Sequence, residues 1–189
     1  MDVGAFGSLS RLILLKLEGN RLNVLKDGVL RRLQSLEVLL LDHNNISVIE
    51  TEALAPLRSL TLLSLQSNQL QRVTFKSFLK LHTTTTTTLL RMSSNPWTCD
   101  CDLQRVFGKI KRVRHLHVYD YQDITCHAPA HQAGSSLASL DSQLCLCETA
   151  SVLVITLTVM LAVIGVLVKA EHNHKNKRNA PVHIKKCKP

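Results

Sequence analysis

Aromatic side chains are scarce in these 189 residues: four phenylalanines, two tyrosines and one tryptophan. Large rings therefore cannot carry the core, and leucine must fill it in thin layers. The first 98 residues contain no cysteine, so whatever they build stands without disulfide staples. Glycine is thin too, at seven, and no glycine-rich loop of the phosphate-cradling kind is present. No set of nucleophile, base and acid emerges, so an enzyme is not expected, and neither is a cofactor. The chain opens without the basic start and apolar stretch of a secretory signal. From Thr149 to Val168 there is no charged residue at all.

What is present is a nine-residue phrase, four times over. Leu12, Leu15, Leu17 and Asn20 hold its first, fourth, sixth and ninth places. Leu36, Leu39, Leu41 and Asn44 repeat it, as do Leu60, Leu63, Leu65 and Asn68. A damaged copy runs Thr87, Leu90, Met92, Asn95. The asparagines stand 24, 24 and 27 residues apart, within the period of roughly 20 to 29 residues typical of leucine-rich repeats. The fourth and sixth places alternate as in a short strand and point to a common core. Each asparagine carries donor and acceptor on a short side chain, suited to bonding the neighbouring coil's backbone. A second apolar string keeps the same register: Leu22, Leu25, Leu30, Leu33, then Ile46, Ile49, Leu54, Leu57, then Leu70, Val73, Phe78, Leu81. It should line the returning, convex side. No coil buries its apolar face alone, so stability is a nearest-neighbour sum along the stack.

Phe6 and Leu9 occupy the places of Leu30 and Leu33, so the first residues read as the tail of a coil rather than a polar cap. The sequence thus suggests a chain that begins inside a solenoid. His82 and the threonines Thr83 to Thr88 lengthen one repeat by three residues. Thr87 falls where leucine is wanted, a loss of roughly 1.5–3 kcal/mol of burial, and the run reads as a low-complexity expansion at the solenoid's edge.

The six cysteines lie at 99, 101, 126, 145, 147 and 187. Their clustering after the repeats suggests a disulfide-bonded module made in an oxidising compartment. Cys99 and Cys101 are too close together for a zinc pair. His115, His117, His127 and His131 are read as solvated rather than as ligands, and no metal is expected. A helix is expected from Leu103 to Val113, with Asp102 as N-cap and Val106, Ile110 and Val113 on one side. Gly108 should weaken it by about 1 kcal/mol.

The stretch from Asn95 to Cys101, with Cys126 and Cys145 downstream, resembles the cysteine-rich C-terminal cap of extracellular leucine-rich repeat proteins. Spacing alone leaves three pairings open among the four cysteines. The resemblance implies Cys99–Cys126 and Cys101–Cys145. The uncharged run from 149 to 168 is long enough to cross a bilayer as a helix. After it come seven lysines and arginines against one glutamate, and the positive-inside rule puts that tail in the cytoplasm and the repeats outside. Asn45-Ile46-Ser47 fits the N-glycosylation acceptor pattern, at Asn45.

The expected fold is α/β: a leucine-rich repeat solenoid with short parallel strands on its concave face, a disulfide-bonded C-terminal cap and one transmembrane helix. Its parts would be repeats at 1–95, cap at 96–147, span at 149–168 and basic tail at 169–189. The whole resembles the membrane-proximal part of a single-pass leucine-rich repeat receptor or adhesion protein. In the order of its parts it resembles Toll-like receptors, but the 21 residues from Lys169 to Pro189 are far too few for their signalling domain. Between the core leucines, three columns should face outward on the concave side. They are Leu14, Val38, Leu62, Leu89; Lys16, Leu40, Ser64, Arg91; and Glu18, Asp42, Gln66, Ser93. The first is apolar in all four copies, which favours contact with protein, an extracellular ligand or co-receptor, over a merely solvated strand face; neither nucleic acid nor a small-molecule substrate is expected. The expected function is extracellular protein recognition or adhesion at the cell membrane. The alternative is an auxiliary subunit of a channel or receptor, acting through its membrane helix and basic tail.

Overall fold

The computed structural model describes residues 4–81, 87–140 and 144–178, with side chains described up to 140 and from 152 to 170. It divides into two compact units, Met1–Cys145 and Leu146–Pro189. The first is a stack of coils. Each phrase yields a three- or four-residue strand: β1 (Leu14–Lys16), β3 (Val38–Leu40), β5 (Leu62–Ser64) and β6 (Thr88–Arg91). Between the first three lie two short outer strands, β2 (Val24–Leu25) and β4 (Val48–Ile49), which pair with each other in parallel. Helix α1 (Phe75–Leu79) returns the third coil. Beyond the repeats come β7 (Trp97–Thr98), α2 (Cys101–Arg112), β8 (Leu116–Val118), β9 (Cys126–Ala128) and α3 (Leu137–Leu140).

The main sheet is parallel throughout, in the order β1-β3-β5-β6-β8. Its register superimposes the phrases: Leu15 on Leu39, Leu39 on Leu63, Leu63 on Leu90. Leu39, Leu63 and Leu90 in one column and Leu41, Leu65 and Met92 in a second are consequently buried, against Leu25, Leu30, Leu33, Leu54, Leu57, Phe78 and Leu81 from the convex side. Each such side chain contributes roughly 1.5–3 kcal/mol. Leu12, Leu15 and Leu17 are only half-buried, because β1 is the edge of the sheet.

The asparagines do what their spacing suggested. Asn68 accepts from the Ile46 amide at 3.0 Å and donates to the carbonyls of Leu41, Leu65 and Gln66. Asn44 and Asn95 repeat the set one coil to either side. One carboxamide thus closes its own bend and bonds the preceding coil.

Two local expectations are corrected. Thr87 is exposed and Thr88 is fully buried, so the leucine site is not filled by Thr87. The Thr88 hydroxyl donates to the Leu60 carbonyl at 2.6 Å, which removes most of the cost of burying it. His82 and Thr83 to Thr86 lie outside the described residues. In α2 the N-cap is Asp100, not Asp102: its extended backbone lets the carboxylate accept from the Leu103 amide at 2.8 Å. Asp102 stands in the exposed first turn, paired with Arg105. The helix runs through Gly108 because Leu103, Phe107 and Ile110 are buried on one face. Val106 and Val113 are half-buried beside them.

Trp97 closes the end of the repeat core. It is fully buried, donates its indole N–H to the Met92 carbonyl at 3.1 Å and meets Phe107 edge-on at 5.8 Å. The disulfide Cys99–Cys126 forms beside it, across the β7–β9 pair. The sheet does not stop at Asn95, since α2 carries the chain round to add β8 as a fifth parallel strand. Cys101 is buried, whereas the side chain of Cys145, its expected partner, lies outside the described residues.

Helix α4 (Leu144–Arg178) contains one stretch within the second unit, Val152–Ala170, that is long and apolar enough to cross a membrane. Its described side chains are exposed all round. Thr156 and Thr158 donate their hydroxyls to the carbonyls of Leu153 and Ile155, at 2.9 and 2.8 Å, so their polar atoms are met within the helix.

Candidate functional site

Strand alternation sends the fourth and sixth places of each phrase inward and leaves the third, fifth and seventh on the concave face. Leu14, Val38, Leu62 and Leu89 do stand in register across four strands. Leu14 is 45% exposed and Leu89 is 37% exposed; Val38 and Leu62, flanked on both sides, are half-buried. The column gains a fifth member, His117 of β8, which is paired with Leu89 and exposed.

The second and third columns depart from the expectation of outward-facing residues. Lys16 and Arg91 are exposed and Leu40 is half-buried, but Ser64 is only 1% exposed. Its hydroxyl donates to Asp42 at 2.5 Å, and the same Asp42 oxygen accepts from the Gln66 amide at 2.9 Å. Gln66 in turn donates to Ser93 and to Asp120, at 2.8 and 3.1 Å. Asp120 also accepts from the backbone amides of Met92 and Ser93. Asp42, Ser64, Ser93 and Asp120 are all buried. Polar groups this close together satisfy each other instead of waiting for a partner. Of the third column, Glu18 alone is fully exposed, with Gln66 half-buried.

Sequence reasoning missed Asp120 and Tyr119. Tyr119 is 65% exposed, and the Arg91 guanidinium lies 5.3 Å from its ring centre. The signal was present in the alternation of Leu116, Val118 and Asp120 with His117 and Tyr119, which marks a strand with one buried face. The exposed surface therefore combines an apolar column from Leu14 to Leu89 with a cationic and aromatic corner at Arg91, His117 and Tyr119.

No group of three or more potential metal ligands comes together among the described residues. His117, His127 and His131 are exposed and His115 is half-buried. Asn45 is exposed while Ile46 beside it is buried, so the glycosylation acceptor is on the surface.

Residues 10–70 match the leucine rich repeat family. Leucine-rich repeats therefore fill that part of the chain. The repeats are similar to a phospholipase A2 inhibitor of Gloydius brevicaudus siniticus, with 37% identity over 59 residues, or 31% of this chain and 18% of that one. The solenoid is similar to the crystal structure of human trophoblast glycoprotein (Wnt-activated inhibitory factor 1), with 25% identity and a TM-score of 0.58 over 74% of this chain. This chain spans 49% of that structure's length and under a fifth of the inhibitor's.

Proposed function

We propose that this protein is a single-pass membrane protein whose repeats recognise another protein outside the cell through the concave sheet. In this reading residues 1–95 are the recognition coils and 96–147 their cap. The observation that carries it is the apolar column from Leu14 to Leu89 beside the exposed Arg91–Tyr119 pair. Tyrosine and arginine set in apolar surroundings are the side chains that dominate protein interfaces. Naming one relative an inhibitor is in keeping with recognition rather than catalysis. The disulfide Cys99–Cys126 supports an oxidising compartment. Val152–Ala170, at 1.5 Å per residue, covers about 28 Å, close to the roughly 30 Å of a hydrocarbon core. The basic residues that follow support a cytoplasmic tail.

The reading is tested with a photo-reactive amino acid placed on living cells at Leu62 or Leu89, and at Arg58, an exposed position outside the strands, as a control. A discrete protein adduct is expected from the two concave positions and not from position 58. It should vanish when Arg91→Glu and Tyr119→Ala are added. Adducts of equal yield from position 58, or none from the concave positions, would refute the reading.

A further inference from the structure

Exposed large apolar side chains in the first unit gather in three places among the described residues. Leu9 and Ile13 lie at the N-terminal end, and Leu14, Leu89 and Tyr119 lie on the concave face. The third place is a groove on the opposite side, where Val48 and Leu79 are about half exposed. This groove holds about 950 Å³ between the outer edge of the second and third coils and the cap helix α2. Its floor is Ile49, Val73, Phe75 and Val106, with Val48 and Leu79 at the margins. Its size is within the range of small-molecule sites, roughly 300–1,000 Å³, and so is its make-up of apolar walls with a few converging polar groups.

The charges on its rim are not balanced. Arg72 is paired with Asp100 at 2.7 Å, and Arg105 with Asp102 at 3.2 Å. Lys76 and Lys109 have no ion pair among the described residues. The Lys109 ammonium lies 5.9 Å from the centre of the Phe75 ring, so one cation is held over the apolar floor. The groove therefore offers two unpaired positive charges beside exposed hydrocarbon. That combination is complementary to an anion with a long apolar body.

We propose that this groove binds a single-chain amphiphilic anion, a free long-chain carboxylate. The chain lies along Val73, Phe75 and Val106, and the carboxylate is held by Lys76 and Lys109. This site is on the face away from the concave sheet and stands whether or not that sheet binds a protein.

The test uses the full chain in lipid nanodiscs and a sixteen-carbon carboxylate bearing a photo-reactive diazirine, with labelled peptides read by mass spectrometry. Saturable labelling is expected in the peptides containing Val48 and Phe75 to Leu79. Palmitate should compete and hexadecanol should not. The double variant K76E/K109E, both changes on exposed positions, should weaken groove labelling about tenfold or more, since charge-assisted contacts to the carboxylate are lost. Leu79→Glu should do the same through the apolar end. Thermal melting of each variant, unchanged from wild type, confirms that the fold is intact. Label confined to residues 152–170, equal competition by the alcohol, or undiminished groove labelling in K76E/K109E would overturn the proposal.

Discussion

At Asn68 one carboxamide makes four hydrogen bonds, all inside the stack. Its exposed counterpart at the edge, Asn20, bonds the carbonyls of Leu17 and Glu18 in its own turn and no other group among the described residues. The same residue at the same place in the phrase therefore has different worth. Asn68→Ala should cost about 3 kcal/mol, because buried amide and carbonyl groups are left unpaired, and Asn20→Ala under about 1 kcal/mol. Chemical denaturation of the two variants measures the difference; equal losses would mean that the asparagines do not join the coils. The period and the asparagines were legible in the sequence because each phrase is copied almost intact. Which of Thr87 and Thr88 goes inside was not legible. That is decided by the Leu60 carbonyl within reach of the second hydroxyl, a contact made 28 residues away. Ser64 and Asp42 were placed on the open face for the same reason: alternation gives a side chain's direction but not what neighbouring coils put beside it.

Helix α2 shows how an element is set by its ends and one face. Asp100 meets both requirements of an N-cap, an extended backbone and a carboxylate on the third amide, and it also holds Arg72. Asp102, two residues later, pairs with an exposed arginine. Replacing Asp100 by alanine should destabilise the cap by about 1–2 kcal/mol and replacing Asp102 by under about 0.5 kcal/mol. Differential melting of the pair checks this, and the reverse order would restore the sequence-based assignment. Both aspartates precede the apolar face, so the sequence alone did not separate them. At Gly108 an added Cβ meets nothing within 4 Å. Gly108→Ala should therefore raise stability by about 0.5–1 kcal/mol through helix propensity; a loss on denaturation would show that the helix is strained there. The strand β8 was marked in the sequence only by the alternation of Leu116, Val118 and Asp120 with His117 and Tyr119. Its place as the fifth strand depends on the turn after α2 and on Asp120 reaching the amides of Met92 and Ser93.

Over the whole molecule, three features favour one arrangement with respect to a membrane. The cap's disulfide favours an oxidising side, the apolar stretch Val152–Ala170 favours a single crossing, and the basic residues after it favour the cytoplasm. These were legible early because composition and charge are read without knowing any contact. The pairing of Cys99 with Cys126 came from a resemblance, and the structure places it across two strands that the spacing did not reveal. In the proposed arrangement the repeats stand outside and the chain crosses once. This arrangement is tested most directly by expressing the full chain in animal cells with an epitope after Pro189. Glycosidase should remove one glycan from the protein, Asn45→Gln should abolish that glycan, and antibody should reach the epitope only after permeabilisation. An unglycosylated Asn45 together with an epitope open to antibody on intact cells would contradict it.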